Sequence, residues 1–178
     1  MNSRAKTDTI LSQKQDATLS YLKALDKRYY LMSAFGWEAN TELGLTNRFL
    51  LGGGAGKILF NNNHRRLLTG IGLNYNREQF DESSSYKGSI EGMAVIQFKR
   101  FRYTSPKVNI DAQYTIFPGF SDWGRIRMNL QINTSLEIFK DFMAGLTFYD
   151  NFDNKPSKDA ASKNDYGITF TIGYKFGK

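Results

Sequence analysis

From Arg125 to Ile138, nearly every second residue is apolar and the residues between are polar. A period of two indicates a β-strand, because successive side chains of a strand point to opposite faces. The same alternation recurs in Lys107–Ile116 and in Tyr166–Phe176. A shift of one residue in strand pairing would move every apolar side chain to the other face, so the pattern also specifies the register.

Weaker and more glycine-rich versions of this pattern occupy most of the remaining chain: Arg28–Asn40, Thr46–Phe60, Arg66–Phe80, Tyr86–Phe98 and Phe142–Asp150. Ala17–Asp26 is a further candidate strand, and Ser3–Leu11 is a poor one. The sum is about ten strands of roughly 9–15 residues, close to the length that a tilted strand needs to cross a bilayer. We interpret residues 1–178 as one β-barrel domain, in which residues 1–16 are weakly patterned and represent a truncated first strand or an extension.

Composition excludes several kinds of catalytic site. The chain has no cysteine, which rules out disulfides, thiolate zinc sites and cysteine nucleophiles, and its one histidine, His64, rules out a multi-histidine metal site. The glycine-rich stretch Leu51–Lys57 lacks the first glycine and the final Ser or Thr of a phosphate-binding loop. We therefore predict a protein that is not an enzyme and that has no cofactor and no metal ion.

The predicted connections between strands alternate in character. The connections Lys27–Arg28, Asn61–His64, Arg100–Pro106 and Lys140–Asp141 are short to moderate in length. The connections Gln79–Ser85, Pro118–Gly124 and Asn151–Asp165 are longer or richer in acidic and small residues. Short turns at one end and long loops at the other are typical of transmembrane β-barrels, which have short periplasmic turns and long extracellular loops.

The alternation fits two opposite barrels, because a soluble barrel turns its apolar face inward and a membrane barrel turns it outward. The polar face contains arginine, amides, glutamate and glycine rather than mostly lysine, which suits a crowded lumen. Aromatic residues, 15% of the chain, gather near strand ends as interfacial girdles do. We therefore predict a membrane barrel with a polar network in its lumen. The candidate residues of this network are Arg125, Arg127, Asn129, Gln131, Asp111, Gln113, Glu91 and Glu137.

Basic and aromatic residues are interleaved at the predicted short-turn end. The basic candidates are Lys99, Arg100, Arg102, Arg65 and Arg66. Such a pattern can bind single-stranded nucleic acid, but it also suits a belt of contacts to anionic lipid headgroups. Because the aromatic residues lie at strand ends, we predict contacts to outer-membrane lipids and no nucleic-acid partner.

The last predicted strand ends on Tyr174 and Phe176, almost at the end of the chain. This spacing looks like the terminal aromatic signal that the outer-membrane barrel assembly machinery reads. We therefore predict that this machinery is a partner during biogenesis.

Three stretches, Arg28–Met32, Leu45–Lys57 and Leu67–Glu78, resemble a salt-induced outer-membrane protein family of Gram-negative bacteria that is catalogued as a domain of unknown function. The resemblance extends from about Ala17 to the end of the chain. It implies an outer-membrane β-barrel without an assigned enzymatic activity, and it supplies no catalytic residues.

These observations predict an all-β fold, a single antiparallel up-and-down transmembrane β-barrel of about ten strands in the outer membrane of a Gram-negative bacterium, with both termini on the periplasmic side. The predicted role is structural, related to envelope stress, or permeation of small solutes, without catalysis. One alternative is a soluble β-barrel that binds an apolar ligand inside. Another is a membrane scaffold whose weak first strand, Ser3–Leu11, is covered by a partner chain or by missing upstream sequence.

Overall fold

The computed structural model describes residues 13–41, 44–80, 86–139, 142–156 and 162–174. These residues form a 9-stranded antiparallel sheet in which each strand pairs with its neighbours in sequence. The strands are β1 (Lys14–Ala24), β2 (Tyr29–Asn40), β3 (Leu45–Asn61), β4 (Arg65–Phe80), β5 (Lys87–Arg102), β6 (Val108–Pro118), β7 (Ile126–Phe139), β8 (Phe142–Asp153) and β9 (Asn164–Tyr174). The prediction of an all-β, antiparallel, up-and-down fold is confirmed. Among the described residues, no helix is long and apolar enough to cross a membrane.

Each of these strands corresponds to a segment predicted from the alternation, and the remaining predicted segment, Ser3–Leu11, lies outside the described residues. The largest difference in bounds is in β5, which continues past Phe98 to Arg102. The extra residues stay in the sheet because Lys99 and Arg100 pair with the start of β4, and because the backbone N–H of Phe101 donates to the carbonyl of His64 at 2.7 Å.

The connections lie alternately at two ends of the sheet. We call the end with the turns after β1, β3, β5 and β7 the short-turn end, and the opposite end the long-loop end. At the short-turn end, the side-chain oxygen of Asn62 accepts hydrogen bonds from the backbone N–H groups of His64 and Arg65, at 3.0 and 2.9 Å. Asparagine stabilises tight turns in this way, so the residues between β3 and β4 close a hairpin locally.

Glycines face one another across β3 and β4, where the two backbones lie close together. Gly54 lies opposite Gly72 in the register, and both belong to the polar face of their strands. A Cβ atom on Gly54 would collide with the carbonyl group of Ile71 and would lie 2.7 Å from the Cα atom of Gly72. Only glycine allows the two backbones to approach this closely on the inside of the curve.

The two edges of the curled sheet meet at the long-loop end. The amide Nδ2 of Asn40 on β2 donates to Oδ2 of Asp165 on β9 at 2.7 Å, and Nζ of Lys14 on β1 lies 3.8 Å from the same oxygen. β1 and β9 run parallel, and no backbone ladder joins them within the described residues. The described chain starts at the long-loop end and finishes at the short-turn end, and Met1, which the prediction placed on the periplasmic side, lies outside it.

The polar face of the sheet is on the inside of the curve and the apolar face is on the outside. Phe170 and Ile172 on β9 are 80% and 73% exposed, whereas Glu78 and Glu91 are each 1% exposed. In the described part of the chain, the buried hydrophobic residues are Tyr30, Leu45 and Leu68.

Candidate functional site

A cluster of paired charges fills the interior at the long-loop end. Glu38, Arg48 and Glu78 are direct neighbours across β2, β3 and β4, so the register alone brings their side chains into one row. The guanidinium of Arg48 lies 2.9 Å from Glu38 Oε2 and 2.8 Å from Glu78 Oε1. The exposed fraction of these side chains is at most 11%, so the charges are compensated by each other rather than by water.

Arg125, which directly precedes β7, joins this row to the far side of the sheet. Its Nη1 lies 2.8 Å from Glu78 Oε2, and its Nη2 lies 2.6 Å from Asp153 Oδ2. Burial by itself lowers the pKa of Arg125, but the hydrogen bond to Asp153 and the charges of Glu78 and Asp153 outweigh it and raise that pKa above its ordinary value. Arg125 therefore stays charged and links β4 to β8 through the interior.

A second arginine, Arg127 on β7, forms a two-point contact with Glu91 on β5. Its Nε donates to Glu91 Oε1 at 2.9 Å, and its Nη2 contacts the other carboxylate oxygen. The ring of Phe117 on β6 lies between these strands, 4.9 Å from the guanidinium carbon. We call the whole set the charged cluster: Glu38, Arg48, Glu78, Glu91, Arg125, Arg127 and Asp153.

Below the charged cluster, toward the short-turn end, lies an interior cavity of about 620 Å³. Its apolar lining residues include Leu22, Tyr30, Met32, Leu68, Met93 and Val95. Its polar and charged lining residues include Lys14, Asp16, Glu38, Gln97, Gln113, Arg127, Asn129, Gln131 and Thr147. The volume lies within the range of small-molecule sites, about 300–1,000 Å³.

The predicted lumen residues divide into three groups. Arg125, Arg127 and Glu91 belong to the charged cluster, while Asn129, Gln113 and Gln131 line the cavity. Asn129 Nδ2 donates to the side chain of Asn151 at 2.8 Å.

The other two, Asp111 and Glu137, lie nearer the short-turn end and do not reach the charged cluster. Asp111 pairs with Lys99 at 2.6 Å and Glu137 pairs with Lys107 at 2.8 Å. Both pairs keep contact with water, since their side chains are 20% to 59% exposed.

The basic residues predicted to contact lipid headgroups also divide. Lys99 and Arg66 lie opposite each other in the register, on the face that carries Leu68 and Gln97, and so they point toward the interior. The other three, Arg65, Arg100 and Arg102, are exposed and belong to the outer face. Strict alternation explains the division, because adjacent residues of a strand must point to opposite faces.

Sequence reasoning missed four members of the charged cluster: Glu38, Arg48, Glu78 and Asp153. Asp153 falls in the predicted connection Asn151–Asp165, whereas the structure includes it in β8. Each of the four lies on the polar face of its strand, and their positions in the alternation could have identified them.

Other predicted residues lie apart from this site or outside the described chain. Tyr174 ends β9 and is 55% exposed, and Phe176 lies outside the described residues. His64 is exposed in the turn between β3 and β4. Over the described ranges, no group of three or more His, Cys, Asp and Glu side chains has the arrangement of a metal site.

Comparison with known proteins identifies one family. A family model described as "Protein of unknown function, DUF481" matches residues 1–176. No curated protein and no solved structure matches the chain.

Proposed function

The chain belongs to the DUF481 family of proteins of unknown function, and we propose that it is a bacterial outer-membrane β-barrel with a structural role and no catalytic activity. In this proposal the outer face of the sheet contacts lipid, and the charged cluster lies inside the barrel. Outer-membrane lipids and the barrel assembly machinery are its proposed partners.

The observation that carries the proposal is the orientation of the two faces. Large apolar side chains cover the outside, among them Leu19 at 75%, Ile71 at 72% and Phe170 at 80% exposure. Monomeric soluble proteins rarely expose continuous apolar patches larger than a few hundred Å². The hydrocarbon of a bilayer solvates such an apolar surface. Charged side chains inside the barrel are kept away from that hydrocarbon.

Closure of the barrel is part of the proposal. A free strand edge in lipid leaves backbone N–H and C=O groups without partners, at a cost of several kcal/mol each. Because β1 and β9 run parallel, a single additional strand between them would be antiparallel to both. We propose that a tenth strand, in keeping with the predicted count of about ten, occupies this place.

The interior does not favour an open diffusion pore. The charged cluster occupies the lumen at the long-loop end, and its side chains are at most 11% exposed. Open aqueous channels are typical of barrels with about 16 strands or more. We therefore propose a barrel that admits at most very small solutes.

The test is electrophoretic mobility in SDS of unboiled and boiled protein that has been refolded with and without detergent. Closed membrane barrels keep their fold in SDS until they are heated, so we expect a heat-dependent shift only for the sample refolded with detergent. Planar-bilayer recordings on the same sample should show no large conductance. A protein that is soluble without detergent and shows no shift would overturn the membrane assignment, and a large steady conductance would overturn the structural role.

A further inference from the structure

We propose that the outer face at the short-turn end binds the phosphodiester of one anionic phospholipid, of the phosphatidylglycerol class, between Arg65 on β4 and Arg100 on β5. The inference rests on the proposed membrane barrel and deepens it, because it names the class of lipid and the residues that select it. Three observations carry it: two arginines that face each other without a carboxylate, an apolar surface that continues from them, and the length of that surface.

The two arginines form a cross-strand pair of like charges. Arg65 and Arg100 lie directly opposite each other in the register of β4 and β5, and both are exposed. Directly opposed side chains have Cβ atoms about 5 Å apart, and like charges at this distance destabilise a sheet. An anion between the two guanidinium groups removes this repulsion, and one phosphate is within reach of both.

The described part of the protein supplies no carboxylate for this pair. Neither Arg65 nor Arg100 forms an ion pair with a described residue. Asp111 on the neighbouring strand β6 points inward and pairs with Lys99 at 2.6 Å. Over the described residues of the nine strands, the outer face carries one acidic side chain, Asp150, and it lies toward the long-loop end of β8. The charge of the pair is therefore left for a partner outside the chain.

An apolar surface begins directly beside the pair. Toward the middle of the sheet, the next pairs on the outer face of β4 and β5 are Leu67 with Phe98, Thr69 with Ile96, and Ile71 with Ala94. Ile71 is 72% exposed. Acyl chains attached to a phosphate at the arginines would cover these side chains. The surface therefore suits a lipid phosphate better than a water-soluble one.

The outer face of β4 has the length of a bilayer core. The next charged residue on this face after Arg65 is Arg77, twelve residues further along the strand. Twelve residues of strand span about 40 Å, which a tilt of about 40° reduces to about 30 Å along the membrane normal. The hydrocarbon core of a bilayer is also about 30 Å thick. Arg65 and Arg100 therefore lie at the headgroup level of one leaflet, and Arg77 lies at that of the other.

The chemistry of the pair favours an anionic headgroup over a zwitterionic one. Arginine forms parallel hydrogen bonds with phosphate, and a phosphodiester offers two non-bridging oxygens, one for each of Arg65 and Arg100. Phosphatidylcholine and phosphatidylethanolamine also carry a cationic group, which would lie close to both guanidinium groups. Phosphatidylglycerol has a neutral glycerol in that place, so it keeps the attraction without the repulsion.

The experiment is native mass spectrometry of the full chain, refolded in detergent and titrated with phosphatidylglycerol or with phosphatidylcholine that has the same acyl chains. We expect the first phosphatidylglycerol to bind about tenfold or more tightly than the first phosphatidylcholine. Arg65→Gln and Arg100→Gln should each raise the dissociation constant of phosphatidylglycerol about fivefold and leave that of phosphatidylcholine nearly unchanged. The matched control Arg77→Gln, on the outer face of the same strand at its other end, should not change the preference.

Equal dissociation constants of the two lipids for the wild type would overturn the proposal, as would equal effects of Arg65→Gln and Arg77→Gln. Millimolar inorganic phosphate should not displace the lipid, and displacement would overturn the assignment to a lipid in favour of free phosphate. If the wild type keeps the heat-dependent mobility shift but shows no preference, only the lipid assignment fails. If the wild type shows no shift, the membrane barrel fails.

Discussion

Arg127 on β7 and Glu91 on β5 lie side chain to side chain across the intervening strand β6, with Arg127 Nε 2.9 Å from Glu91 Oε1 and both residues at most 4% exposed. The contact joins strands that share no backbone hydrogen bonds. It therefore depends on the curl of the sheet, which brings the ends of alternate strands together inside.

Replacing Glu91 with Ala should strongly destabilise the fold. The guanidinium of Arg127 would remain buried without its partner, and breaking such a pair costs about 3–5 kcal/mol. The measurement is the free energy of unfolding in urea for the refolded protein. Glu137→Ala is the control, because its pair with Lys107 is partly exposed and should contribute less than about 1 kcal/mol. Equal losses in the two variants would contradict a special role for the buried pair.

Phe170→Arg should distinguish a lipid environment from an aqueous one. Phe170 is 80% exposed on the outer face. In water, such a surface change is usually within about 0.5 kcal/mol. Near the middle of a bilayer, arginine on the lipid face costs about 2–4 kcal/mol. Urea unfolding from vesicles, with Phe170→Leu as the control, measures the difference, and a neutral result would argue against membrane insertion at this strand.

Gly54→Ala should disturb the curvature of the sheet, because the added methyl group would meet the backbone of β4 at Ile71 and Gly72. Overpacking of this kind costs about 1–3 kcal/mol. Its neighbour Gly53 points to the other face, where a Cβ atom would lie 3.6 Å from the carbonyl of Met32, an ordinary contact. Gly53→Ala should therefore unfold at nearly the wild-type urea concentration. The prediction fails if both variants behave alike.

The contact between the loops after β6 and β8 should depend on pH. Lys155 Nζ lies 3.0 Å from Asp122 Oδ1 and also donates to the carbonyl of Trp123 at 2.7 Å. The hydrogen bond from Lys155 holds the pKa of Asp122 below its ordinary value. The stabilisation is therefore present above the ordinary carboxyl pKa, about 3.9, and is lost as the pH falls through the lowered value.

Hydrogen exchange of the backbone around Asp122 measures this effect. At pH 6 we expect exchange to be slower than the intrinsic rates, and we expect this protection to be lost as the pH falls through the lowered pKa of Asp122. Lys155→Met should remove the pH-dependent part and leave β7 protected. Protection that is the same in Lys155→Met and wild type at pH 6 would contradict the assignment.

Strand identity was predictable because the period of two in Arg125–Ile138 directly encodes two opposite faces. The orientation of those faces was predictable from side-chain type, since Arg127 and Glu91 need partners away from both lipid and water. The ends of strands were less predictable. The segment Tyr86–Phe98 was expected to end before Lys99, but pairing with β4 continues to Arg102, which places Lys99 on the interior face.

The partners within the interior could not be derived from the alternation. Arg125, which directly precedes β7, contacts Asp153 on the adjacent strand β8. It also contacts Glu78 on β4, which is not adjacent to β7. Their distance depends on how far the sheet curls, and that depends on close contacts such as Gly54 with Gly72. Local sequence patterns contain no information about such long-range distances.

The sequence by itself determined that the chain forms an up-and-down antiparallel sheet and that each strand has one polar and one apolar face, because both follow from side-chain alternation and short connections. Only the tertiary structure decided which charges pair and where the cavity lies. These depend on curvature, which sets distances between strands that are far apart in sequence and that share no hydrogen-bonded ladder.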